Sequence, residues 1–93
     1  MQVITIIMSK KDKLLKRFLS APADFSYDEL VRLMKGFGYD ESQAGKTSGS
    51  AVSFIHFGTR HIIKLHKPHP NPVLKGYQIK DVIDELKRKE IIK

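Results

Sequence analysis

The sequence predicts an α+β domain, with helices packed on one face of a three-stranded antiparallel sheet and an extra helix at the N-terminal end. Helical apolar spacing near both ends brackets a central stretch in which apolar and polar residues alternate. Glycines punctuate this order, with Gly36 and Gly38 before the alternating stretch and Gly58 inside it. The chain has 93 residues, 41% of them hydrophobic, which suffices for one small packed core.

Three segments carry helix signals. Ser9 can cap a first helix, and the segment 20–24 ends it. The apolar stripe of this helix comprises Leu14, Leu15, Phe18 and Leu19. The second helix begins at a capping box of Ser26 and Glu29 and stops at Gly36. The last helix extends from about Tyr77 to Lys89, with one apolar stripe that comprises Ile79, Val82, Ile83 and Leu86.

Three strands are expected between the second and last helices. They cover Tyr39 to about Gln43, a segment around Val52 to His56, and His61 to His66, with a hairpin turn at Gly58-Thr59. Alternation predicts an inner face of Val52, Phe54, Ile63 and Leu65, and an outer face of Ala51, Ser53, Lys64 and His66. Three prolines make the connector 67–72 rigid and extended.

The composition excludes several classes of protein. There is no cysteine, which rules out disulfides, zinc–thiolate sites and thiol catalysis, and fits a reducing cytoplasm. No apolar run approaches the roughly 20 residues of a membrane span, so no membrane partner is expected.

Residues 1–8 are interpreted as an N-terminal extension or an added strand, with Met8 as an alternative start, and residues 9–93 as a single domain.

Charge is distributed unevenly. The formal net charge is +7, and the segment from Ser42 to Lys80 contains no Asp or Glu. The same segment holds all four histidines and six bases, which are Lys46, Arg60, Lys64, Lys67, Lys75 and Lys80. Such a segment attracts polyanions, because each phosphate it neutralises releases counterions. Nucleic acid or an acidic protein is therefore the expected partner.

Two constellations within this segment could act on a phosphate. The serine- and glycine-rich run at 45–50 could bind a phosphate through backbone N–H groups, and Lys46 would add a positive charge. The alternative interpretation of this run is a flexible hairpin turn without a binding role. His66 and His69 flank Lys67 and could move protons in metal-free RNA cleavage. A metal site is not predicted, because the histidine pair lacks a convincing ligand set. His56 and His61 are expected to be structural or exposed at the hairpin.

In four motifs, taken in order, the chain resembles HicA, the toxin of HicA–HicB toxin–antitoxin pairs. These are the helix end at 36–39, the run 46–50, the paired strands, and the connector 65–70 leading through Leu74-Lys75 into the last helix. The resemblance covers about Ser26 to Ile92. It implies a fold like that of a double-stranded-RNA-binding domain (dsRBD-like) and a type II toxin that cleaves mRNA without a metal or cofactor. It also implies neutralisation by a HicB-like antitoxin.

One position departs from the family pattern. The commonest family motif reads Gly-Ser-His with a catalytic His, whereas Gly49-Ser50 is followed here by Ala51, which cannot transfer a proton. Other residues could do the chemistry, the chain could bind RNA without cutting it, or the Ala could be an engineered inactivation. The candidate catalytic positions are Ala51, Ser50, His66 and His69. The candidate RNA-binding residues are Lys46, Ser48, Gly49, Arg60, Lys64, Lys67 and Lys75.

Overall fold

A computed structural model of the chain describes residues 10–42 and 51–93. Its elements are α1 (Lys10–Leu19), α2 (Tyr27–Gly36), β1 (Tyr39–Ser42), β2 (Ala51–His56), β3 (Ile62–His66) and α3 (Gly76–Arg88). The predicted α+β fold is confirmed, and the order from α2 to α3 is the helix–three strands–helix order of a dsRBD-like domain. The expected Ser9 cap, the end of the first strand at Gln43 and the interpretation of residues 1–8 lie outside the described residues.

The sheet has the order β1-β2-β3, and both pairs are antiparallel. Val52 lies opposite Leu65 and Phe54 opposite Ile63, so these four side chains share one face. Val52, Phe54 and Ile63 are buried, while Leu65 is half-buried against the core. The predicted inner and outer faces are thus confirmed, because Ala51, Lys64 and His66 are exposed on the other side.

The helices cover only the inner face of the sheet. Helix α2 packs on β1 and α3 packs on β3, whereas α1 packs on α2. Phe18 joins α1 to the core, with its ring centroid 5.0 Å from that of Phe25. The prediction that Leu19 belongs to the buried stripe is wrong, since it is 45% exposed. Successive helical residues are about 100° apart, so at the end of α1 Leu19 projects away from the buried Phe18.

The start of α2 matches the predicted capping box. The Ser26 hydroxyl accepts a hydrogen bond from the Glu29 N–H at 3.1 Å, and the Glu29 carboxylate accepts one from the Ser26 N–H at 2.8 Å. Arg17 of α1 also donates to Glu29, at 3.0 Å. This hydrogen bond with Arg17 is the main reason that the pKa of Glu29 lies below its ordinary value. One carboxylate therefore caps α2 and ties it to α1.

The connector between β3 and α3 is fixed by backbone hydrogen bonds as well as by its prolines. The Tyr27 N–H donates to the Pro72 carbonyl at 2.9 Å, and the Leu74 N–H donates to the Phe25 carbonyl at 2.8 Å. Leu74 is buried in the core. The connector therefore crosses the N-terminus of α2 and follows a defined path into α3.

Candidate functional site

Ala51 and His66 are directly opposite each other at one end of the β2–β3 ladder. Both are exposed on the outer face of the sheet. Directly opposed residues in an antiparallel pair have Cβ atoms about 4.5–5.5 Å apart, so their side chains reach the same space. An imidazole on β3 therefore stands beside position 51, where the family motif that the sequence resembles would have a histidine.

A groove of about 480 Å³ opens next to this pair, between the connector and the first turn of α3. Four of the residues singled out in the sequence line it together, namely His66, Lys67, His69 and Lys75. The rest of its polar lining comes from Asn71, Tyr77 and Gln78. The fold thus brings two histidines and two lysines, which are spread over ten positions of the sequence, to one concave surface.

Gln78 connects the two sides of the groove. Its side-chain amide donates to the His66 carbonyl at 2.9 Å, and its side-chain oxygen accepts from the Lys75 N–H at 3.0 Å. The residue is 7% exposed, and it is the one buried polar side chain among the described residues. Because the side chain that makes both hydrogen bonds belongs to a buried residue, Gln78 fixes the end of β3 relative to the start of α3.

The groove is electrostatically one-sided. None of the described residues that line it carries a carboxylate. Within the described chain, Lys67 and Lys75 form no ion pair; the Lys67 ammonium instead lies 5.1 Å from the centre of the Tyr27 ring. Two ammonium groups without carboxylate partners favour an anionic ligand, and phosphate oxygens are the anions that lysine commonly binds as a point charge.

Two predicted RNA-binding residues lie elsewhere. Arg60 is in the β2–β3 hairpin, at the opposite end of the ladder from the Ala51–His66 pair, a span of roughly 17 Å for strands of this length. Lys64 is exposed on the outer face opposite Ser53 and lines a second groove, between β3 and α3. The remaining predicted residues, Lys46, Ser48, Gly49 and Ser50, lie outside the described residues.

Sequence reasoning did not identify Tyr77 and Gln78 as site residues. Tyr77 is 63% exposed at the groove, whereas helical spacing marks it only as the start of α3. Gln78 had a usable signal, since Gln three positions after an N-cap is the second half of a capping box. The Lys75 side chain cannot accept a hydrogen bond, so only the half of that box contributed by Gln78 forms.

The other two histidines have structural roles, as expected. His61 is partly buried and joins β1 to α3, with Nδ1 2.7 Å from the Tyr39 hydroxyl and Nε2 2.7 Å from a Glu85 carboxylate oxygen. Hydrogen bonds from Arg88, and then from His61, lower the pKa of Glu85 to about 2. Burial raises the pKa of Tyr39. His56 stabilises the hairpin, because its Nδ1 accepts hydrogen bonds from two backbone N–H groups of the turn.

Within residues 10–42 and 51–93, no helix has the length and apolar character needed to cross a membrane. No group of three or more His, Cys, Asp or Glu side chains in the same ranges is arranged to hold a metal ion.

A family model matches the greater part of the chain. The family described as the HicA toxin of bacterial toxin–antitoxin systems matches residues 27–88, about two thirds of the chain. The matched range extends from the first residue of α2 to the last residue of α3, so it contains the whole sheet and the groove, while α1 lies outside it. No curated protein and no solved structure gives a significant match.

Proposed function

The chain belongs to the HicA family of toxins from toxin–antitoxin systems, and we propose that it binds mRNA and cleaves it as a metal-independent endoribonuclease. The observation that carries the proposal is the groove in which His66 and His69 accompany Lys67 and Lys75 without a carboxylate. RNA supplies the matching chemistry, since it offers a phosphate for the lysines and a 2′-hydroxyl for a histidine base.

In the proposed reaction the lysines neutralise the phosphate at the scissile bond, and backbone N–H groups of Gly49 and Ser50 hold its oxygens. His66 takes the proton of the 2′-hydroxyl, whose oxygen attacks phosphorus, while His69 protonates the 5′-oxygen that leaves. One O–P bond forms and one breaks. The products are a 2′,3′-cyclic phosphate and a 5′-hydroxyl. His66 has the role of base because its neighbour across the ladder is Ala51, the family's histidine position.

A second candidate function is RNA binding without cleavage. Ala51 favours it, because a methyl group cannot transfer a proton and the remaining basic surface would still bind phosphates. The two functions predict different behaviour for Ala51→His. If the chain only binds RNA, the substitution creates a nuclease; if His66 already serves as the base, the change in rate is small.

Expression from a tightly controlled promoter tests the proposal in cells. Induction of the natural chain should arrest growth and shorten cellular mRNA, and the double variant His66→Ala/His69→Ala should do neither while folding normally. Purified protein should cut a model mRNA in the presence of a chelator. Binding without cleavage, followed by cleavage once Ala51→His is introduced, would establish the second function instead.

The proposed cellular partner besides mRNA is a HicB-like antitoxin acting in the cytoplasm. An acidic antitoxin would associate rapidly with this protein, because its charge is opposite to the net charge of +7. It would neutralise the toxin by covering the groove. Association that is salt-sensitive and that blocks RNA binding to the groove would support this partner. A protein that binds the chain and leaves RNA binding intact would argue against it.

A further inference from the structure

Phe57 is the most exposed large hydrophobic residue in the described chain, with 75% of its surface accessible. It lies in the hairpin turn 57–59 that joins β2 to β3. This position is at the far end of the ladder from the Ala51–His66 pair, so Phe57 is not part of the groove. An exposed phenyl ring contributes little to the core, and its surface is accessible to a partner.

The Phe57 ring is held on one side and open on the other. It stacks on the His56 imidazole, with centroids 5.3 Å apart and planes 16° from parallel. The backbone N–H of Phe57 donates to the Gly38 carbonyl at 3.0 Å. Gly38 has φ +93°, and a Cβ there would lie 3.0 Å from both the Phe57 ring and the His56 imidazole. A glycine with positive φ thus makes room for the stacked pair.

The charge around this ring suits a polyanion. The hairpin belongs to the acid-free segment and contains Arg60, which is exposed. Gly38, next to the ring, follows the last turn of α2, and the Gly38 N–H donates to the Lys35 carbonyl. At the same helix end, the Lys11 ammonium donates to the Gly36 carbonyl at 3.2 Å. Arg60 therefore lies in the hairpin itself, and the Lys11 ammonium lies at the C-terminal end of α2, which Gly38 follows.

We propose that Phe57 is a stacking platform for an unpaired nucleobase of bound RNA, with Arg60 contacting the adjacent phosphate. The inference rests on the proposed RNA-binding function and adds a preference for single-stranded RNA. Because one face of the Phe57 ring stacks on the His56 imidazole, a base can stack on the opposite face. A base inside a duplex has both faces covered and cannot bind in this way. Since the ladder spans roughly 17 Å, this base lies several nucleotides from the groove.

The chain has no tryptophan, so Phe57→Trp introduces a single fluorescent reporter at the proposed site. We expect its emission to be quenched by an oligoadenylate of about 12 nucleotides, and much less by a duplex of equal length. Leu19→Trp is the matched control, because Leu19 is exposed on α1 outside the hairpin, and its emission should change little. Binding is measured in parallel by the anisotropy of labelled RNA.

Substitutions that leave the hairpin backbone intact provide an independent test. Phe57→Leu should weaken single-strand binding about fivefold or more without altering the salt dependence, while Phe57→Tyr should bind as the natural chain does. Equal quenching by single strand and duplex, or wild-type affinity in Phe57→Leu, would overturn the platform while leaving RNA binding in place. Absence of binding by the natural chain would overturn both proposals.

Discussion

Ala51 on β2 faces His66 on β3, and both side chains stand on the open side of the sheet beside a basic groove. In the family motif that the sequence resembles, a histidine would follow Gly49-Ser50 at position 51, and His66 on the neighbouring strand is paired with that position. A catalytic group can occupy equivalent space from either of two paired strands, because their side chains are separated by only about 5 Å. We therefore propose that His66 takes the place of that histidine in the cleavage reaction.

Replacing His66 with Ala should reduce mRNA cleavage by a factor of about 10²–10⁴, the range that general acid–base groups contribute, while RNA affinity changes little. Adding Ala51→His to that variant should restore activity, because the new imidazole projects from the opposite strand into the same space. Rates are measured on a labelled RNA under single-turnover conditions. Unchanged cleavage by His66→Ala would show that His66 is not the base.

Lys75→Ala should weaken RNA binding and make it less dependent on salt. Each phosphate contact with a single strand contributes about 0.7 to the slope of log affinity against log salt, so the slope should fall by about that amount. Lys87→Ala is the control, since Lys87 is exposed in the last turn of α3 and carries the same charge. Equal effects from both substitutions would mean that net charge, not the groove, governs binding.

Local patterns predicted most of the fold. Alternation between Val52 and Phe54 fixed which face of β2 is buried, because shifting a strand by one residue turns every side chain over. The Ser26–Glu29 box located the start of α2, since both of its hydrogen bonds form within four residues. Such signals are readable because the interacting groups are close in sequence.

The parts that escaped prediction depend on partners far apart in the chain. Glu85 follows the polar side of α3 in sequence, yet it is half-buried against His61, 24 positions away. Gln78 reaches back 12 positions to the His66 carbonyl. Helical periodicity reports which side of a helix is apolar, but it carries no information about which strand a polar side chain will meet. The groove itself arises from these long-range contacts.

Gln78→Ala should destabilise the fold and impair the groove together. The substitution leaves the His66 carbonyl and the Lys75 N–H without their partner, at a cost of about 1–3 kcal/mol in the free energy of unfolding. Urea unfolding measures that loss. Gln78→Glu is the companion variant, because it keeps the acceptor for Lys75 and loses the donor to His66. A Gln78→Ala variant as stable as the natural chain would contradict the bridging role.

Glu85 should make the fold sensitive to acid. Its pKa is about 2 in the folded protein, against an ordinary value of 4.5, because Arg88 and His61 stabilise the carboxylate. A lowered pKa means that this stabilisation is complete above pH 4.5 and is lost as the pH falls from 4.5 towards 2. Since the side chain is 35% exposed, solvent screening limits the effect to about 1 kcal/mol.

Glu85→Gln keeps the shape and removes the titration, so its free energy of unfolding should fall below that of the natural chain at pH 7 and converge with it at pH 2. Urea unfolding at both pH values measures the difference. Arg88→Gln separates the two partners of the carboxylate, because it removes the hydrogen bonds from Arg88 and leaves the one between His61 Nε2 and Glu85 in place. A constant gap between Glu85→Gln and the natural chain at every pH would show that the loss reflects packing rather than the charge of Glu85.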